Sequence, residues 1–141
     1  MFDKYTEGAR KVMSLARQEA QQYGSEFIGT EHLLLGILAE GGGDAAKILK
    51  RFEVDPKVVR QEVGKLLTPP TSPTVTLGQL PFSPRAKNAL ALAEKAANAD
   101  GLKVIDTGNL LVGLLDESEG IAHQVLSNLV SDLPAFRREL L

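Results

Sequence analysis

The chain has 141 residues. That is enough for one ordinary domain, or two small halves sharing a core, to bury about two-thirds of its unfolded surface without a disulfide or a metal. It has no Cys, which excludes a disulfide framework and a cysteine-based zinc site and fits a reducing compartment. With 16 Lys and Arg against 18 Asp and Glu mixed along the chain, a net charge of −2 lacks the basic surplus of a general nucleic-acid binder. Met1-Phe2-Asp3-Lys4-Tyr5 shows no basic segment leading into an apolar core, so it does not read as a signal peptide. Apolar runs such as Leu33 to Leu35 are far too short to span a membrane.

In chain order, Thr6 reads as an N-cap, followed by a helical stripe of Ala9, Val12, Met13, Ala16 and Ala20. Gly24 ends that helix in a left-handed conformation. Thr30 is expected to N-cap a second helix with Leu33, Leu34, Ile37 and Leu38 inward, stopped by Gly41-Gly42-Gly43. Asp44 is expected to cap a third helix carrying Ala45, Ile48, Leu49 and Phe52. Asp55-Pro56 opens a fourth, with Val58, Val59, Val63, Leu66 and Leu67. Residues 68–81 contain Pro69, Pro70, Pro73 and Pro81 and read as a linker, with Val75 to Leu77 extended.

The rest of the chain repeats the first part at an offset of 77 residues, without a gap. Ser83-Pro84 opens a helix with Ala86, Ala89, Leu90, Ala93 and Ala97, Gly101 matches Gly24, and Thr107 matches Thr30. Leu110, Leu111, Leu114 and Leu115 repeat the second helix, Ala122, Val125, Leu126 and Leu129 the third, and Asp132 the Asp55 cap. Stripes alone could coincide between two Ala- and Leu-rich segments. Stripes, caps and stop glycines in common register imply an internal repeat. The expectation is an all-α domain of two four-helix repeats, 1–67 and 82–141, joined by the linker 68–81 and related by a pseudo-two-fold with a shared apolar seam. Leu67 maps beyond Leu141, and Arg137-Arg138-Glu139-Leu140-Leu141 keeps a helical pattern without a cap. This reads as a domain cut from a longer protein, the alternative being a helix that frays at a natural end.

No phosphate loop of the Gly-x-x-x-x-Gly-Lys-Ser/Thr type and no nucleophile motif is present, and Gly41-Gly42-Gly43 lacks the strand and lysine of a phosphate cradle. Glu31-His32 is the one adjacent acid–imidazole pair, and His123 aligns with Ala46 rather than with His32, so neither a metal nor another cofactor is expected. A binding role reads better. Thr6, Thr30, Ser83 and Thr107 mark helix starts, whose free N–H groups and dipole attract anions. Glu31, in a first helical turn, either simply complements the dipole or reads a cation, best a guanidinium. Its counterpart is Gly108, and that of His32 is Asn109, so the second copy keeps the scaffold and loses the charged reader. Lys47, Lys50, Arg51, Lys57 and Arg60 form either a docking face or an ordinary solvated surface.

Gly29-Thr30-Glu31-His32-Leu33-Leu34-Leu35-Gly36, after Phe2-x-x-Tyr5-Thr6-x-x-Ala9, resembles the N-terminal domain of Clp-type AAA+ unfoldases, most closely the ClpC type. Ser83-Pro84-Arg85-Ala86-Lys87 is similar to the start of that family's second repeat, where the expected Gly-Thr-Glu-His is Asp106-Thr107-Gly108-Asn109. The resemblance implies a non-catalytic, monomeric double repeat tethered to an ATPase ring. Such a domain captures adaptor proteins and substrates for unfolding, in the cytoplasm or an organelle stroma. It also implies phosphoarginine recognition through Thr6, Glu31 and Ser83, with the second glutamate missing at Gly108. The alternatives are a free-standing accessory protein of the same fold that regulates a Clp complex, and a hydrolase using Glu31-His32.

Overall fold

The computed structural model describes residues 4–66, 80–99, 101 and 103–141. Eight helices lie among them: α1 Glu7–Gln22, α2 Thr30–Glu40, α3 Asp44–Arg51, α4 Pro56–Leu66, α5 Pro84–Ala99, α6 Thr107–Asp116, α7 Ile121–Leu129 and α8 Leu133–Leu140. The all-helical reading holds. The linker expected at 68–81, with its extended Val75 to Leu77, lies outside the described residues apart from Leu80 and Pro81.

Helix starts and stops follow local chemistry. Ala9 N donates to Thr6 Oγ1 at 3.2 Å, Ala86 N to Ser83 Oγ at 3.1 Å and Ala135 N to Asp132 Oδ1 at 3.1 Å. These side chains satisfy amides that the first turn leaves free. Gly24, Gly41 and Gly101 take positive φ of 65°, 70° and 73° where helices end.

Helices α2 and α6 form the centre. Leu33 to Leu35 and Ile37 are buried on α2, and Leu110 to Leu115 on α6, so each is apolar nearly all round, as a core helix must be. Helix α1 lies along α2 and α5 along α6 as the two most extensive pairs. The approach is close: a Cβ at Gly36 would stand 2.8 Å from Val12 O, and one at Gly113 would collide with Ala89 O. Other contacts cross between the halves, α2 meeting α7, and α3 meeting both α6 and α8. One continuous cluster of buried side chains therefore serves both repeats, including an edge-on contact of Phe52 and Phe136 with centroids 5.0 Å apart.

Backbone pairing also crosses between the halves in duplicate. Parallel bridges join Tyr5 to Ile105 and Ile28 to Phe82. Thr6 N donates to Ile105 O and Ser83 N to Ile28 O, each at 3.0 Å, and every partner is related by the offset of 77.

Two expected caps are placed differently. Gly29, not Thr30, is the N-cap of α2, and Gly43, not Asp44, that of α3. Thr30 Oγ1 instead accepts from Ala122 N of α7 at 3.2 Å, and Thr107 Oγ1 from Ala45 N of α3 at 3.4 Å. Each hydroxyl caps a helix of the opposite repeat. The approach needs a bare backbone: a Cβ at Gly120 would lie 2.9 Å from Thr30 Oγ1, and one at Gly43 would collide with Thr107 Oγ1. Gly43 thus admits the cap of α3, besides following the stop at Gly41.

Candidate ligand site

The crossing brings the starts of α2, α5 and α7 to one cavity of about 600 Å³, whose walls include Thr30, Glu31, Ser83, Arg85, Glu119 and Phe27. Three helix N-termini give it a positive backbone field. Each contributes differently to its walls. On α5, Ser83 caps Ala86; on α7, the hydroxyl of Thr30 is already spent on Ala122. On α2, the N-cap glycine leaves room for the acid that follows.

Glu31 is only 7% exposed. Burial raises its pKa above the ordinary 4.5, and a hydrogen bond from its own backbone N–H opposes that rise. Its carboxylate lies where a side chain on Gly29 would be, so a Cβ there would collide with Glu31 Oε1. No Lys or Arg among the described residues pairs with it. A buried acid without a cation, at the wall of an open cavity, is suited to receive one.

His32 is the inward partner of this arrangement. Its Nδ1 accepts from Gly29 N at 2.9 Å, satisfying the N-cap amide, and its ring lies 5.9 Å from that of Tyr23. Burial lowers its pKa to about 4, against the opposing charge of Glu19. It is a neutral structural imidazole with its proton on Nε2. His123 Nδ1 donates to Leu115 O at 2.6 Å. The histidines therefore do separate structural work, and among the described residues no group of three His, Cys, Asp or Glu is placed to hold a metal.

Thr30, Glu31 and Ser83 come together, and Thr6 does not join them. Thr6 pairs with Ile105 beside the start of α6, the pseudo-equivalent place. Each cavity therefore draws on both repeats, one taking α2 with α5 and α7, the other α6 with α3. The second, about 340 Å³, includes Lys47, Arg51, Asp106, Gly108, Asn109 and Glu139. An acid does persist at the start of α6, two residues earlier than in α2. Asp106 accepts from Asn109 N at 2.8 Å, and Asn109 Oδ1 from Asp106 N at 3.0 Å. That carboxylate is committed to its own helix.

Arg85 and Glu119 were not among the residues singled out from the sequence for a site. Arg85 Nη1 stands 2.7 Å from Glu119 Oε2 and 3.6 Å from Glu117 Oε1. The available signal was the repeat itself, since Arg85 faces Gly8 and Glu119 faces Gly42 at the offset of 77. Of the basic residues on α3 and α4, Lys47, Lys50 and Lys57 are exposed, while Arg51 pairs with Glu139 at 2.9 Å. Arg60 grips the buried Glu19 with its two terminal guanidinium nitrogens and so ties α4 to α1.

Comparison with known proteins extends these observations. The profile of the Clp repeat (R) N-terminal domain matches residues 4–129. Over 141 residues the chain is 43% identical to the ATP-dependent Clp protease ATP-binding subunit ClpA homolog of Guillardia theta, and 41% to the chloroplastic chaperone protein ClpC of Pisum sativum. It spans 17% and 15% of their lengths, with all of its own residues aligned. The N-terminal domain of the caseinolytic protease associated chaperone ClpD from Arabidopsis thaliana superposes with a TM-score of 0.80 at 21% identity, covering 99% of this chain and 94% of that one, which is a likeness of fold. With the profile running through seven of the eight described helices and relatives aligned across its full length, the chain belongs to the Clp repeat N-terminal domain family.

Proposed function

We propose that this domain docks adaptor proteins and protein substrates for a Clp-type AAA+ unfoldase, and that the cavity at the starts of α2, α5 and α7 takes a phosphoarginine side chain. The chain's own part is recognition; ATP hydrolysis belongs to the remainder of a Clp ATPase. The observation that carries the ligand reading is Glu31: a carboxylate 7% exposed, without a cationic partner, at the wall of a cavity framed by helix N-termini. The carboxylate suits a guanidinium, and the N-terminal field and the Ser83 hydroxyl suit the attached phosphoryl group.

Calorimetric titration of the chain and of Glu31→Ala with free phosphoarginine tests this reading. One site, lost in the variant, is the expected result. Two sites would mean that the Gly108 cavity also functions. Absence of binding would remove phosphoarginine as the ligand and turn the search to adaptors and unfolded substrates.

A further inference from the structure

The two cavities differ by more than one glutamate. Around the first stand Glu31, Arg85 and Glu119. At the offset of 77 their counterparts are Gly108, Gly8 and Gly42. Gly108 lines the second cavity, while Gly8 and Gly42 both lie beside Glu40. Gly8 packs near Thr107, its would-be Cβ 3.7 Å from Thr107 Cγ2, and Gly42 borders Glu40. Sterics do not require glycine at 8, where a Cβ meets nothing closer than 3.6 Å. The supporting acid is kept on both sides. Glu40 accepts from Gly42 N at 3.1 Å, and Glu117, its counterpart, from Glu119 N at 3.4 Å. The retained residue holds the loop, and the three that differ face the ligand space, so they form one recognition set.

Building on the phosphoarginine reading above, we propose that Arg85 is the anion-reading residue of the first cavity and that Glu119 is its resident competitor. In the free domain Arg85 is half exposed and rests on Glu119, itself 73% exposed at the side chain. An exposed pair of this kind is held weakly and exchanges readily. A phosphoryl group entering beside Ser83 offers the guanidinium two oxygens and more charge than one carboxylate. Arg85 then moves from Glu119 to the ligand, while Glu31 holds the ligand's guanidinium. The exchange makes the cavity selective for phosphorylated arginine, because unmodified arginine gives Arg85 nothing better than Glu119.

The test is a pair of NMR titrations, with phosphoarginine and with free arginine, on the parent chain, Arg85→Ala and Glu119→Gln. Arg85→Ala is expected to weaken phosphoarginine by roughly tenfold or more and leave arginine unchanged. Glu119→Gln is expected to tighten phosphoarginine several-fold without helping arginine. A phosphoarginine affinity unmoved by Arg85→Ala, or an equal loss for both ligands, overturns the assignment while the cavity reading stands. A parent chain that binds neither ligand overturns the cavity reading and this inference with it. Thermal melts of both variants check that the fold is intact, as is expected for solvent-facing side chains.

Discussion

The hydroxyl of Thr30, in the first turn of α2, accepts a hydrogen bond from the amide of Ala122 on α7 at 3.2 Å, 92 residues away in sequence. Its counterpart joins Thr107 to Ala45 at 3.4 Å. These two bonds cap helices of opposite repeats, and the first fixes the starts of α2 and α7 at the larger cavity. Thr30→Ala is expected to cost about 1–2 kcal/mol in a urea melt, the range for loss of a helix N-cap. Gly120→Ala is expected to cost at least as much, since its new methyl would stand 2.9 Å from the same hydroxyl. A Thr30→Ala chain as stable as the parent would show that the bond carries no stability.

On the proposed reading, Glu31 sets binding against stability. Its pKa is raised by burial, so the folded state holds that proton more tightly than the unfolded one. The contribution is favourable below the ordinary 4.5 and is lost as pH rises through the folded value. Glu31→Gln, neutral at every pH, is therefore expected to be more stable than the parent at pH 7, and the difference is expected to shrink as pH falls through the folded value and to level off below 4.5. Denaturation curves at pH 4 and pH 7 measure both ends. A loss of phosphoarginine binding with a gain in stability is the combined signature of an acid kept for its ligand.

His32 responds in the opposite direction. Its folded pKa of about 4 lies below the ordinary 6.5 because the ring is buried. Stability from the neutral ring is complete above 6.5 and is lost as pH falls toward 4, a change on the order of 3 kcal/mol. Asn109 shows what replaces it: its Oδ1 accepts from Asp106 N as His32 Nδ1 accepts from Gly29 N. His32→Asn is expected to keep the bond from Gly29 N and to flatten the stability profile between pH 6.5 and 4. An equally steep profile in the variant would place the acid sensitivity elsewhere.

The glycines divide by what surrounds them. Gly36→Ala puts a methyl 2.8 Å from Val12 O, a backbone atom on α1 that cannot swing aside, and is expected to destabilise by about 1–3 kcal/mol. Gly8→Ala meets only ordinary contacts at 3.6 Å and beyond in the first turn of α1. It is expected to be neutral or to stabilise by up to about 1 kcal/mol through helix propensity. Thermal melts of the two single variants separate the outcomes.

The repeat, the all-helical class and most of the helix bounds were legible in the sequence. Apolar stripes, capping residues and stop glycines act within a few residues of themselves, so an offset of 77 carried them from one half to the other without knowledge of the fold. Local chemistry could not say which amide a threonine hydroxyl would find. Thr30 read as the cap of its own helix, with Thr107 as its match, because the competing amides, Ala122 and Ala45, are distant in sequence and become neighbours only when α7 and α3 cross to the opposite repeat. The same crossing separated Thr6 from Glu31 and brought Ser83 and Arg85 to it. Periodicity gave each repeat its helices. Burial of α2 and α6 against both halves decided how those helices interlock, because neither repeat alone covers its central helix, and the cavity is a product of that interlocking.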